Sequence, residues 1–301
     1  MSAYVPLWCK SNFSFLEGAS HPEELVEEAH RLGLGSLALT DRDGVYGVVG
    51  AHQKASKLGI HLIIGSEITI NDGSTIVLLA TDRIGYANLC RLISAGRLNS
   101  PKGSASVSWR QICEHADKLL ALWGGRNSLL IAEDEPMTMI GDLKDAFGDR
   151  LYGMLARHQH AEECPLEKRL EERARCHGLP LVAAVEVLYH STARRPLQDV
   201  LTCIRHRTNL AQAARRTRPN AEHFLKSEHL FHSIFSDREG CASRTLEIAS
   251  RCSFSLDHIR YRYPVERLPD GSTSAQWLRH LAFEGAKQRY NDQIPGAVRK
   301  Q

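Results

Sequence analysis

The sequence predicts an α/β fold in which short buried strands alternate with amphipathic helices around a closed or nearly closed barrel. Three observations lead there. Between about residues 5 and 190, apolar runs of strand length recur with helical stretches between them. So many repeats in so short a stretch favour closure over an open sheet, with right-handed crossovers between parallel strands. The 301 residues are 43% hydrophobic and 24% charged, a globular balance that excludes wholesale disorder, collagen-like repeats and coiled coil as the main architecture.

The elements follow in order. Val5–Cys9 reads as a strand. His21–Leu32 reads as a helix, with Ser20 as N-cap, Pro22 in the first turn, acids after it and Gly33 as the stop. Ser36–Thr40 is a buried strand, Val48–Leu58 a helix closed by Gly59, and Ile60–Gly65 a strand again. Ser74–Ala80 follows, then a helix over about Tyr86–Arg97. The runs Lys118–Trp123, Ser128–Ala132 and Arg150–Ala156 come next, then a helix over about Pro165–His177 and the strand Pro180–Glu186. Residues 194–258 read as helical with a break at Pro219-Asn220. Tyr261–Pro264 reads as extended, Leu268–Ser272 as a turn, and Ser274–Tyr290 as one helix with a Trp277/Leu278/Leu281/Phe283 stripe. Too little chain accompanies that stripe to bury it, so it reads as the opening of a further domain. This divides the chain into a barrel over 1–190, its helical end over 191–260, and the start of another domain over 261–301.

The net charge of +3 conceals an asymmetry. Residues 191–301 hold 19 Lys and Arg against 11 Asp and Glu, leaving residues 1–190 at −5. An acidic barrel argues against nucleic acid as its own ligand. Eight cysteines without a Cys-x-x-Cys pair indicate neither a disulfide framework nor a zinc ribbon. With no signal-peptide pattern and no long apolar run, a cytoplasmic protein without membrane contact is expected.

A barrel enzyme places its chemistry at the carboxyl ends of its strands, and the informative motif there is Leu7-Trp8-Cys9-Lys10-Ser11-Asn12-Phe13-Ser14-Phe15-Leu16-Glu17-Gly18-Ala19-Ser20. It resembles the first motif of the PHP (polymerase and histidinol phosphatase) domain of bacterial C-family DNA polymerases, the DNA polymerase III alpha group. The wording is most similar to the error-prone, translesion branch. Leu39-Thr40-Asp41, Ile64-Gly65-Ser66-Glu67, Gly85-Tyr86-x-Asn88-Leu89 and the run Arg195–Thr208 extend the resemblance in order from about residue 4 to the C-terminus.

The resemblance implies a seven-stranded TIM-like barrel, a helical extension and the start of a polymerase domain. In active relatives it implies a cluster of His, Asp, Glu and Cys holding up to three ions, which would supply hydroxide and polarise a phosphoryl oxygen. Here the family's His-x-His is Trp8-Cys9-Lys10, and the His expected after Thr40-Asp41 is Arg42. Thr75 replaces a His, Gly125 a Cys and Met154 a Glu, and the late Asp-x-His is Glu186-Val187-Leu188. Glu17, Glu67 and Glu186 keep carboxylates at ligand positions, and Asp41 is retained beside one. Trp, Leu and Met cannot ligate a hard cation, and Lys10 and Arg42 repel one. The expectation is therefore a pocket with no catalytic residue and no metal, in which Lys10 and Arg42 stand in for ions by pairing with those carboxylates.

Other features take plainer readings. His158/His160 and His229/His232 are expected on surfaces or in packing, without a converging carboxylate. Gly124–Asn127 is a turn, and Ser11 and Ser14 make loop hydrogen bonds because no base is placed to activate them. Arg205, Arg207, Arg215, Arg216 and Arg218 form an interdomain or solvent-exposed basic face.

By resemblance, the parent protein is expected to be a DNA-directed DNA polymerase using Mg and serving translesion synthesis and damage-induced mutagenesis. Its expected partners are its own polymerase core, DNA, a Y-family-like mutasome protein and, through that, the sliding clamp. The polymerase carboxylates are expected beyond Gln301, which leaves this chain a structural platform. The alternative is a residual metal-dependent phosphoesterase or 3′–5′ exonuclease.

Overall fold

The structure, a computed structural model, describes residues 4–132, 137–259 and 272–299. The expected extended run Tyr261–Pro264 and the turn beginning at Leu268 lie outside them. The chain forms two compact units, Met1–Ile259 and Arg260–Gln301.

In the first unit the elements run α1 (Pro22–Arg31), β1 (Ser36–Leu39), α2 (Val48–Leu58), β2 (His61–Thr69), β3 (Thr75–Ala80), α3 (Arg83–Leu98), α4 (Trp109–Glu114), β4 (Leu119–Gly124), α5 (Met137–Phe147), β5 (Leu151–Ala156), α6 (Glu163–His177) and β6 (Leu181–Ala184). Helices α7 (Arg195–Arg205), α8 (Leu210–Ala213), α9 (Glu228–Ile234) and α10 (Glu239–Arg251) follow. Local chemistry sets the ends. Pro22 opens α1, and the Glu24 carboxylate accepts from the His21 N–H at 2.8 Å, so the N-cap is His21 rather than Ser20. The Ser20 hydroxyl is used elsewhere, bonded to His190. Gly59 and Gly178 close α2 and α6 in the left-handed conformation.

The six strands pair in sequence order. All neighbours are parallel except β3, which runs antiparallel to β2 and β4, correcting the all-parallel expectation. Only Ile70–Ser74 separates β2 from β3, and a connection that short permits a hairpin and no crossover. Ser128–Ala132 forms turns rather than a strand.

Val5–Cys9 does not form a regular strand, because Pro6 has no N–H to offer a ladder. It still spans the two edges of the sheet. Cys9 bridges Leu39, the last residue of edge strand β1, and Val187, just past the other edge strand, β6. Ala38 N–H donates to Pro6 O at 2.9 Å and Lys10 N–H to Val187 O at 2.9 Å. The sheet is thus curled, with six strands where seven were expected.

Alternate side chains fill the two sides of the curl. Leu7, Ala38, Ile63, Val77, Leu120, Leu122, Tyr152 and Val182 pack together inside, while Leu119, Ala121 and Trp123 of the same β4 face the helical layer. Ile248 and Ala249 of α10, with Cys252, join the inner cluster near the strand starts Ser36 and His61. This leaves the opposite end, where the parallel strands finish, as the open mouth.

In the second unit, α11 (Ser274–Arg289) starts at a Thr273 N-cap and is followed by α12 (Gly296–Arg299). Leu278 and Leu281 of the expected stripe are exposed. Among the described residues, no helix is long and apolar enough to cross a membrane.

Candidate functional site

The mouth of the barrel is built by strand ends. Trp8 and Lys10 finish the bridging segment, Asp41 and Arg42 follow β1, and Glu67 lies in β2. Antiparallel β3 brings its first residue, Thr75, to the same rim, where Thr69 pairs with Thr75. Gly125 follows β4, Met154 lies in β5, and Glu186 and Leu188 follow β6.

Lys10 is fully buried, and its Nζ sits 2.7 Å from Glu186 Oε1, 2.8 Å from Glu67 Oε2 and 3.4 Å from Glu17 Oε2. Arg42 adds a second cation, with Nε 2.9 Å from Glu17 Oε1 and Nη2 2.8 Å from Glu67 Oε1. The indole Nε1 of Trp8 donates to Glu67 Oε2 at 2.5 Å. Burial alone would lower the Lys10 pKa, but Glu186 and Glu67 outweigh it and hold the ammonium above its ordinary range. Burial likewise pushes Glu17 and Glu186 up. Lys10 and Arg42 reverse this for Glu17, and Arg218 and Lys10 for Glu186, which lies well below the usual carboxylate range.

Asp41 stands outside this network. It accepts from Ser11 N at 2.7 Å, Ser11 Oγ at 2.8 Å and Ser14 Oγ at 2.7 Å, so both serines serve to order a loop. Burial still raises the Asp41 pKa. Thr75 lines the mouth, and Leu188 is buried with its N–H bonded to His223 O. Gly125 has φ +80°, and a Cβ there would meet the Trp8 ring at 2.7 Å. Met154 is buried and lines, with Trp8 and Gly125, a largely apolar cavity of about 90 Å³.

Two groups depart from the sequence expectation. His158 does meet carboxylates: its Nδ1 lies 3.1 Å from Glu163 Oε1, and its ring stacks on His223 at 4.1 Å beside Glu186. His158, Glu186 and His223 offer ligand-type atoms within 4.8 Å of one another. His223 carries no motif and only folding reveals it. The basic run is not merely a solvent-exposed face either. Arg205 Nη1 reaches Glu17 Oε1 at 2.9 Å, and Arg218 Nη2 reaches Glu186 Oε2 at 2.7 Å. The acidic partners were legible in sequence, but the pairing needed the long turn back from α7 and α8.

Neither group leaves an open position for a metal ion among the described residues. Among Glu17, Glu67 and Glu186 the position for a cation is taken by Lys10 Nζ, and Arg42 adds charge of the same sign. In the histidine group, Glu186 N–H donates to His158 Nε2 at 2.8 Å, which places the His158 proton on Nδ1 toward Glu163. Both oxygens of Glu186 are committed to Lys10 and Arg218. His223 points Nδ1 at Glu186 O, 3.1 Å away, and keeps Nε2 without a partner among the described residues. Burial lowers the His223 pKa to about 3, so the ring is neutral. One open nitrogen does not make a metal centre.

Comparison with known proteins bears on the same residues. Over 302 residues the chain is 36% identical to the error-prone DNA polymerase of Rhodopirellula baltica, covering 98% of this chain and 26% of that protein. The error-prone DNA polymerases of Methylococcus capsulatus and Pseudomonas aeruginosa match at 40% and 37% identity, each over 100% of this chain and 28% of the relative. The chain thus spans about a quarter of the length of these relatives. Among solved structures, an amidohydrolase from Chromobacterium violaceum with bound sulfate overlaps 62% of this chain and 88% of its own, at 15% identity and a TM-score of 0.47. The PHP domain model matches residues 7–162. A match that runs through more than half the chain, from the segment carrying Lys10 past the strand carrying Met154, makes this protein a member of the PHP domain family.

Proposed function

We propose that this chain is the N-terminal PHP domain of an error-prone DNA polymerase, with residues 261–301 opening the polymerase core. In this reading the pocket has exchanged metal chemistry for internal ion pairing, and the barrel is a rigid platform for that core. DNA and Mg belong to the parent polymerase. A Y-family-like mutasome protein, and the sliding clamp through it, are the parent's partners in translesion synthesis, damage-induced mutagenesis and DNA repair in the cytoplasm. Error-prone polymerase relatives at 36–40% identity along the whole chain support the parentage. The observation that carries the loss of metal chemistry is Lys10 Nζ lying within 2.7–3.4 Å of three carboxylates where ligands would converge on an ion.

The rival reading, a residual metal-dependent phosphoesterase or 3′–5′ exonuclease, draws on the His158–Glu186–His223 cluster. Elemental analysis of the purified chain, with hydrolysis of a generic phosphoester and of 3′-labelled single-stranded DNA, separates the two. We expect no stoichiometric metal and no hydrolysis above background. Turnover abolished by a chelator and by Glu67→Gln would overturn the proposal.

A further inference from the structure

The barrel mouth is a polar cleft of about 250 Å³, and its charges do not cancel. Glu17, Glu67 and Glu186 contribute three negative charges, and the buried Lys10 and the half-buried Arg42 already offset two of them. Arg205 and Arg218 each touch one carboxylate through a single nitrogen, which carries the balance past neutrality. Arg126 and Arg216 line the same cleft with no carboxylate partner among the described residues. Among the described residues the Arg216 side chain has one hydrogen bond, a 3.5 Å contact with a backbone carbonyl, His206 O. The cleft with Lys10 therefore carries six cations against three anions, an excess of +3 with His223 neutral.

Such an excess, gathered in a concave site with low-dielectric walls, has a definite ligand chemistry. Guanidinium groups with spare N–H donors match the oxygens of a phosphate group, and a dianion offsets most of the excess. A buried amide adds to this. Gln198 lines the cleft, its Nε2 donates to Thr202 Oγ1 at 3.0 Å, and its Oε1 has no partner among the described residues. Turning the amide over lets Thr202 donate to Oε1 and presents two N–H donors to an arriving oxyanion.

We infer that the barrel mouth binds a phosphate group directly through arginines, without a metal ion, with Arg126 and Arg216 as the unspent contacts and Arg205 and Arg218 as shared ones. No bond is made or broken. The phosphate could be free or the terminal group of a nucleic-acid strand, and the test distinguishes them.

The experiment is calorimetric titration of the purified chain in phosphate-free, low-salt buffer with EDTA. The probes are inorganic phosphate, pyrophosphate, a 5′-phosphorylated trinucleotide and the same trinucleotide without its phosphate. Saturable binding is expected for at least one phosphate-bearing probe, and none for the dephosphorylated trinucleotide. Preference among the first three identifies the source. Both Arg126 and Arg216 lie outside the buried ion pairs, so Arg126→Ala with Arg216→Ala should leave the unfolding temperature unchanged and weaken binding at least tenfold. Three results would overturn the inference: no saturable binding by any probe, equal affinity in the double variant, or binding that appears only when EDTA is replaced by a divalent ion.

Discussion

Replacing Lys10 by Met keeps an unbranched side chain, one heavy atom shorter, and removes its charge. The three carboxylates around Nζ, at 2.7–3.4 Å, then lose the cation they share. Removing one partner of a buried ion pair costs about 3–5 kcal/mol, because the remaining charge stays buried. Arg42 still holds Glu17 and Glu67, and Arg218 still holds Glu186, so the expected cost lies at the lower end, about 3 kcal/mol. For a unit of this size that lowers Tm by roughly 6–12 °C. The pH dependence is the sharper signature. The folded pKa values of Glu17 and Glu186 are depressed, so their contribution is complete above the unfolded value of about 4.3 and is lost as pH falls through the folded values. Without Lys10 the same carboxylates take up protons at higher pH, which relieves their repulsion. The stability gap between wild type and Lys10→Met should therefore narrow from about pH 8 to about pH 5. Urea unfolding followed by tryptophan fluorescence at both pH values reads it. A gap below about 1 kcal/mol, the range of exposed pairs, or one independent of pH would refute the reasoning.

Three further outcomes follow from neighbouring geometry. Gly125→Ala places a methyl group 2.7 Å from the Trp8 ring at a backbone φ of +80°, and should cost about 1–3 kcal/mol in urea unfolding. No measurable change would mean that the turn relaxes freely. Trp8→Phe removes the N–H bonded to Glu67 and should cost about 1.5 kcal/mol, the low end for a bond to a charged group, since Lys10 and Arg42 still hold that carboxylate. A larger loss would assign the indole a packing role beyond its hydrogen bond. His223 has a folded pKa of about 3 against an ordinary 6.5, so its neutral form favours folding above pH 6.5, and that contribution is lost as pH falls toward 3. Its share of the acid slope is at most about 1.4 kcal/mol per pH unit. His223→Asn should flatten the stability profile below pH 6.5, and an unchanged slope would contradict the burial argument.

The helix α2 could be placed to the residue because Gly59 can adopt the left-handed cap its end requires, and the strand–helix rhythm gave the α/β class. The charge reversals at Lys10 and Arg42 were equally legible, since a side chain that repels cations at a ligand position needs an acid nearby. The antiparallel β3 was not, because an apolar run reads the same in either direction and only the short Ile70–Ser74 connection decides it. His223 was hidden for another reason. It lies in the connection between α8 and α9, far along the chain from Glu186, and nothing in its local sequence marks the contact. Arg205 and Arg218 were visible only as positive charge, and their use as partners of Glu17 and Glu186 depends on how the helical end folds back.

The filling of the barrel floor by α10 has a consequence for the order in which the protein assembles. Val5 N–H is bonded to Thr245 Oγ1 at 3.0 Å across 240 positions, and the Tyr4 ring stacks on Phe231. The segment that joins the two sheet edges is thus synthesised before the rest of its unit, yet it is anchored by some of the last residues of that unit. At about 5–20 residues per second, a ribosome leaves that segment waiting for ten seconds or more before its anchors emerge. Contacts so distant in sequence also slow the closing step itself. Once β6 is made and until α10 emerges, the segment that joins the sheet edges lacks these anchors, and the edges are open to a chaperone or to aggregation.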